Sequence, residues 1–195
     1  MDRGCRRRVP ASPPPPLSPP PPVILWNGRW EYDKQPAAFF AALEALEARG
    51  VPFRLVVAGE HVDPRAPEFV AARARWAHRI VHWGFAPGRA AYAALLRQAD
   101  VVVSTAIQEF FGIGVVEAMA CGCAPVLPRR LNYPDLIPPA LHGDCLYATP
   151  DELVAQLAAA LARPPRRALW QELAAPYSWV QQAPRYDAEF ARIAG

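Results

Sequence analysis

Apolar residues in this chain fall into short uninterrupted blocks separated by stretches with a helical rhythm. Residues 23–27, 53–59, 80–83, 101–103, 125–127 and 146–147 are nearly or wholly apolar on successive positions. That is the pattern of parallel strands covered on both faces, where neither side of the strand meets water. Residues 36–49 instead place Phe39, Phe40, Leu43 and Leu46 on one helical face, and Pro36 and Gly50 suit its first turn and the position just past its end. Further helices are expected over 68–78, over 90–98 with Tyr92, Leu95 and Leu96 inward, over 112–120, and over 151–163 behind Thr149 as cap with Glu152 three residues on. The last segment, 168–194, carries Trp170, Leu173, Trp179, Tyr186 and Phe190 and is expected to pack as one or two amphipathic helices.

Strand and helix alternate through connections that suit right-handed crossovers, so the expected fold is α/β, a doubly wound, Rossmann-like parallel sheet. Ligands of such sheets bind outside the carboxyl ends of the strands. The polar features that carry chemistry all follow a strand: Asn27-Gly28-Arg29 the first, Gly59-Glu60 the second, Trp83-Gly84 the third and Glu109 the fourth.

Composition adds a boundary. The first 22 residues hold nine of the 24 prolines and Arg3, Arg6, Arg7 and Arg8 but no apolar block, so they are expected to be an extended, unstructured lead. Residues 23–195 form the expected folded domain. The lead's balance of +3 equals the net charge of the whole chain, which leaves the body neutral. A broad basic face for nucleic acid is therefore not expected, although a local patch could still touch phosphates. The cysteines at 5, 121, 123 and 145 and the four histidines lack metal-ligand spacing, so no structural metal is expected. Cys121 and Cys123 read as buried thiols, which points to a reducing, cytoplasmic setting, and no segment suits a membrane span.

The densest chemistry lies at residues 109–122. Glu109 leaves the fourth strand, Gly112 and Gly114 open a helix, and Glu117 stands more than a turn inside it. Glycines there let a ligand approach the first free amides, where a helix start is partly positive. A carboxylate on either flank can accept from the hydroxyls of a sugar and of a ribose. The same residues also fit a plain strand-to-helix turn with a solvated Glu117. On the first loop, Gly28 permits close backbone approach beside Arg29 and Lys34, the one lysine among 21 basic residues. These cations could neutralise an anion expelled in a transfer reaction, or could simply pair with Glu31 and Asp33. On the first reading, replacing either should leave folding stability nearly unchanged. Trp83 and Gly84 are expected to border a base pocket through backbone groups.

Together these residues resemble the nucleotide-binding half of the B-type retaining glycosyltransferases of family 4. Gly28-Arg29, Lys34, Glu109, Glu117, Ala118-Met119-Ala120, Gly122 and Pro125-Val126 carry the likeness. Leu25-Trp26-Asn27, Arg29-Trp30-Glu31-Tyr32-Asp33-Lys34, His82-Trp83-Gly84, Glu109-Phe110-Phe111-Gly112 and Tyr133-Pro134-Asp135-Leu136-Ile137-Pro138 resemble the tRNA-queuosine mannosyltransferase group within it. The resemblance covers about residues 23–165. It implies GDP-mannose, or another nucleotide sugar, as donor substrate with no separate cofactor, and queuosine of tRNA(Asp) as acceptor. It further implies that Arg29 and Lys34 hold the diphosphate, that Glu109 with the amides of Phe111, Gly112 and Ile113 holds sugar and phosphate, and that Glu117 holds the ribose. Family members carry an amino-terminal Rossmann-like domain where this chain has its proline-rich lead. Transfer is thus expected to need a separate acceptor-domain polypeptide, and a nucleotide-sugar-binding module without turnover stays open.

Overall fold

A computed structural model describes residues 19–59 and 66–194. The strands are β1 (Val23–Trp26), β2 (Arg54–Ala58), β3 (Ile80–Gly84), β4 (Val101–Val103), β5 (Ala124–Pro128) and β6 (Leu146–Tyr147). The helices are α1 (Pro36–Ala48), α2 (Pro67–Arg75), α3 (Arg89–Gln98), α4 (Ile113–Ala120), α5 (Tyr133–Leu136), α6 (His142–Cys145), α7 (Pro150–Ala162), α8 (Arg167–Ala174) and α9 (Trp179–Ala194).

The strands form one parallel sheet in the order β3-β2-β1-β4-β5-β6, the doubly wound arrangement expected from the sequence. Side chains alternate faces along a strand, and β1 shows what that does here. Ile24 and Trp26 enter a core with Phe39, Leu43, Phe69 and Leu157, beneath α1, α2 and α7. Val23 and Leu25 enter the opposite core with Leu96, Val115, Met119 and Trp170, beneath α3, α4 and α8. All four residues are 1% exposed or less, which is why the block reads as continuously apolar. Burying each such side chain is worth about 1.5–3 kcal/mol.

The order reverses between β1 and β4, and Ile24 pairs with Val101 across that line. The crevice outside the carboxyl ends of these two strands is the topological switch point. At the other end of the sheet Asp100 pins the two strands: one carboxylate oxygen accepts from the Val23 amide at 2.9 Å and the other from Arg167 at 2.8 Å. Arg167 also donates to the carbonyls of Ala99 and Cys121, closing the ends of α3 and α4.

Several expectations are corrected. Helix α2 stops at Arg75, short of residue 78, and Trp76 turns into the core at 1% exposure. In the final segment Trp170 is buried as expected, but Trp179, Tyr186 and Phe190 are 74%, 53% and 64% exposed. Helix α9 is amphipathic and follows the short turn Ala175–Tyr177, yet Val180 and Ile193 on it are exposed as well. Of the lead, residues 1–18 lie outside the described residues, as do Cys5 and Glu60. Pro21 and Pro22 do not belong to a loose lead: their carbonyls accept from the side chain and amide of Arg54. Cys123 and Cys145 are buried and Cys121 half-buried, all as free thiols.

Candidate functional site

Three loops meet at the switch point: the one after β1, the one after β4, and the one between β5 and α5. The first is held by backbone contact. A Cβ at Gly59 would lie 2.1 Å from the carbonyl oxygen of Gly28, so the end of β2 presses directly on the β1 loop and tolerates no side chain. The loop then turns back so that Thr105 donates to the Lys34 carbonyl at 2.6 Å and the Ile107 amide donates to Asp33 at 2.8 Å. These bonds tie the β1 loop to the β4 loop.

Lys34 and Glu109 meet as a result. The Lys34 ammonium lies 3.2 Å from the Glu109 carboxylate and 3.1 Å from Asp33, and it donates to the Gln108 carbonyl at 2.8 Å. Its side chain is 14% exposed. The other Glu109 oxygen accepts from the Phe110 amide at 3.1 Å. Gly112 enters α4 at φ +85°, where a Cβ would also stand 3.0 Å from the Tyr133 ring. The amides of Gly112, Ile113 and Gly114 find no acceptor among the described residues, and Gly112 and Gly114 border the same hollow, partly positive as a helix start is. Gly28, Lys34, Glu109, Gly112 and Gly114 thus line one hollow of about 60 Å³ with Asn27, Ser104 and Tyr133.

Asn27 carries the site onward. Its side-chain amide donates to the Gly114 carbonyl at 2.8 Å and to the Tyr92 hydroxyl at 2.9 Å, bridging β1, α3 and α4. Beyond it opens a second, mainly apolar hollow of about 360 Å³, lined by Asn27, Arg29, Phe85, Arg89 and Tyr92. Burial pushes the Tyr92 hydroxyl up to about 12, the hydrogen bond from Asn27 opposes that, and the nearby Glu117 charge adds to it. Glu117, exposed on α4, thus neighbours Tyr92, one of the residues that line this hollow. Arg29 lies on this side, not in the smaller hollow, 62% exposed and 3.2 Å from Glu31. Both ion pairs weighed from sequence are thus formed, Arg29 with Glu31 and Lys34 with Asp33.

Two other expected residues need qualification. The Trp83 ring leaves the crevice and joins the aromatic cluster beneath α1 and α2, 5.5 Å from Trp30 and 6.2 Å from Phe69 and Phe40. Gly84 holds φ +107° at the end of β3, and Phe85 after it, 66% exposed, supplies the surface that faces the second hollow. Phe111 packs edge-on against Tyr177 at 5.4 Å, and its carbonyl accepts from Asn132.

Asn27 belongs to a loop expected to carry chemistry but had no role assigned, and Ser104 and Tyr133 were not expected at the site. Tyr133 is buried, shares a 2.8 Å bond with the Ser104 hydroxyl and has its own hydroxyl pushed up to about 12 by burial. The signal for Asn27 was its place directly after a buried strand.

A parallel sheet whose switch point combines free helix-start amides, a clamped lysine and flanking carboxylates has the form of a nucleotide-sugar domain, one half of a B-type glycosyltransferase. Residues 11–175 match the family model described as glycosyl transferases group 1, and the chain belongs to that family. It is 34% identical over 134 residues to a tRNA-queuosine alpha-mannosyltransferase of Drosophila melanogaster, covering 69% of this chain and 34% of that protein. It is 30% identical over 166 residues to a GDP-mannose-dependent alpha-(1-6)-phosphatidylinositol dimannoside mannosyltransferase of Mycobacterium tuberculosis, covering 83% and 41%. Among solved structures, a sucrose-phosphate synthase from Thermosynechococcus elongatus shares the fold with a TM-score of 0.66 at 23% identity, over 88% of this chain and 46% of that one. The chain spans between a third and a half of the length of these relatives. No helix among the described residues is long and apolar enough to cross a membrane.

Proposed function

We propose that this chain is the donor-binding part of a cytoplasmic retaining mannosyltransferase that moves mannose from GDP-mannose to the queuosine of tRNA(Asp). One observation carries the reading. Lys34, Glu109, Gly112 and Gly114 line one hollow at a helix start whose first amides are free, and Asn27 joins it to a roomier one lined by Arg29 and by Tyr92, which Glu117 neighbours. A diphosphate across the junction would meet Arg29, Lys34 and the helix-start amides, with the sugar on Glu109, the ribose on Glu117, and the base between Gly84 and Phe85. The names of the fly and mycobacterial relatives support mannose as the sugar, and that of the fly protein supports the acceptor.

In this reading the bond between the anomeric carbon and the phosphate oxygen breaks with its electron pair on the diphosphate. The acceptor hydroxyl oxygen bonds to the same face of that carbon and gives its proton to the departing phosphate oxygen. Arg29, Lys34 and the amides stabilise the charge left on the diphosphate, and preorganised donors of this kind are worth about 3–4 kcal/mol each. No cofactor beyond the donor enters this scheme. The 60 Å³ hollow is well below the roughly 300–1,000 Å³ of a complete ligand site, so the sugar needs a second wall. We infer that an acceptor domain supplies it. The same one-sided hollow favours, as a second reading, a module that binds the nucleotide sugar without turnover.

Calorimetric titration of the full chain with GDP-mannose, GDP and UDP-glucose tests the first reading. GDP-mannose should bind at least tenfold more tightly than UDP-glucose, and at 100 times its Kd should stabilise the fold by about 2.7 kcal/mol. No binding of any nucleotide sugar would end the reading, and preference for a UDP-sugar would move it to another donor. Transfer by a complex with an acceptor domain, or its absence, then separates enzyme from binding module.

A further inference from the structure

A third hollow, about 500 Å³ and larger than either part of the donor crevice, opens at the carboxyl end of the sheet between the starts of α1 and α7. It contains none of the donor residues named above. Its floor is apolar, with Ala38, Ala42 and Ala45 of α1 facing Leu153 and Val154 of α7. Thr105 lines both this hollow and the small one, so the two are neighbours across the loop that carries Lys34.

The polar groups of its wall are mostly satisfied within the chain. Tyr147 donates to the Ser104 carbonyl at 2.9 Å, Thr149 caps α7, and Thr105 is bonded to Lys34. Two groups are not. Arg130 donates through Nε to the Ala106 carbonyl at 3.1 Å, which leaves its two terminal nitrogens, and the Arg129 guanidinium has no partner among the described residues. Asp151 is the one acid in the lining, so the wall is net positive. Both arginines stand on a turn ended by Leu131 at φ +63°, and Gln35, also on the rim, holds φ +50°. A site with free guanidinium donors over an apolar floor suits an unstacked base with its flanking phosphodiesters, since guanidinium matches phosphate geometry and its plane can stack on a base.

Resting on the mannosyl-transfer reading, we propose that this hollow receives an unpaired nucleotide of the acceptor RNA, with Arg129 and Arg130 on the phosphates beside it. An RNA strand held there lies one loop away from the sugar position. The neutral charge of the body agrees with a local contact, not a broad basic face.

The test measures fluorescence anisotropy of a labelled RNA hairpin with a single-stranded loop, titrated with the full chain, beside calorimetry with GDP-mannose. The hairpin should bind, and the Arg129→Ala, Arg130→Ala double variant should weaken it at least tenfold. The slope of log affinity against log salt should fall by about 0.7 for each arginine lost. GDP-mannose affinity should be unchanged in Arg129→Ala alone, which should by itself weaken the hairpin, because Arg129 neither lines a donor hollow nor bonds a residue that does, whereas Arg130 holds the Ala106 carbonyl. No RNA binding, or RNA binding indifferent to both substitutions, would overturn the inference while GDP-mannose binding still supported the donor reading. Loss of RNA to an equal charge of polyglutamate would overturn it in favour of an acidic protein partner. Failure of GDP-mannose to bind would strike the donor reading separately.

Discussion

Lys34 and Arg29 separate a binding role from a structural one. Lys34 is 14% exposed and its ammonium serves Gln108, Asp33 and Glu109 at 2.8, 3.1 and 3.2 Å. Lys34→Met keeps the stem and leaves two carboxylates, 28% and 26% exposed, around an apolar tip. Removing one partner costs about 0–1 kcal/mol for an exposed pair and about 3–5 for a buried one, and this cluster lies between, so we expect about 2 kcal/mol. In a chain of this size that is a fall of roughly 4–8 °C in Tm. Arg29→Met removes a side chain 62% exposed from a pair with Glu31 and should change stability by less than about 0.5 kcal/mol. Sequence alone suggested that neither replacement would touch stability, and the threefold engagement of Lys34 changes that for one of the two. Donor affinity should fall in both, and turnover with an acceptor domain should fall by about 10²–10³ if each steadies the departing diphosphate. Adding Glu109→Gln to Lys34→Met should restore part of the melting temperature, because the stranded carboxylate is gone, without restoring the donor. Melting curves and titration with GDP-mannose check each arm. If Lys34→Met melts like the parent and binds donor like it, the clamp neither holds the loops nor meets a phosphate, and the reasoning fails.

Three further outcomes follow from the geometry. Gly114→Ala would place a Cβ 2.9 Å from the Asn27 amide nitrogen; the crowding should cost about 1–3 kcal/mol by urea denaturation and weaken donor binding by displacing the Asn27 bridge. Thr149→Ala removes the cap whose oxygen accepts from the Glu152 amide at 3.2 Å, and should lower stability by about 1 kcal/mol with donor affinity intact. The Tyr133 hydroxyl is pushed from 10.0 up to about 12 in the folded chain, so the folded state holds a proton that the unfolded state releases first. Its contribution is intact below pH 10 and is lost as pH rises toward 12, by about 2–3 kcal/mol; Tyr133→Phe should flatten that part of the denaturation profile, and an unchanged slope would contradict the burial argument.

How much of this was legible in the chain depends on whether the cause was local. The sheet was, because a strand covered on both faces must be apolar at every position, and β1 is 1% exposed or less throughout. The α7 cap was, since Thr149 and Glu152 interact across one turn. Lys34 drew notice through composition, but its bonds to residues 108 and 109 depend on the order of β1 and β4 in the sheet. Asn27 to Tyr92 and to Gly114 span 65 and 87 positions, and no spacing rule reaches that far. Where the Trp83 ring goes was not legible, because an aromatic at a strand end reads equally as a pocket wall or a core ring, and the neighbouring Trp30 and Phe69 rings decide it. Helix α9 shows the converse limit: periodicity finds an apolar stripe without saying what covers it, and 74% exposure of Trp179 means that this body does not. Gly59 is the sharpest case. A glycine after a strand at the ligand-binding edge invites a ligand explanation, yet a Cβ there would lie 2.1 Å from the Gly28 carbonyl whether or not a ligand is present. Its first duty is to let two strand ends touch, and the donor crevice has its shape because they do.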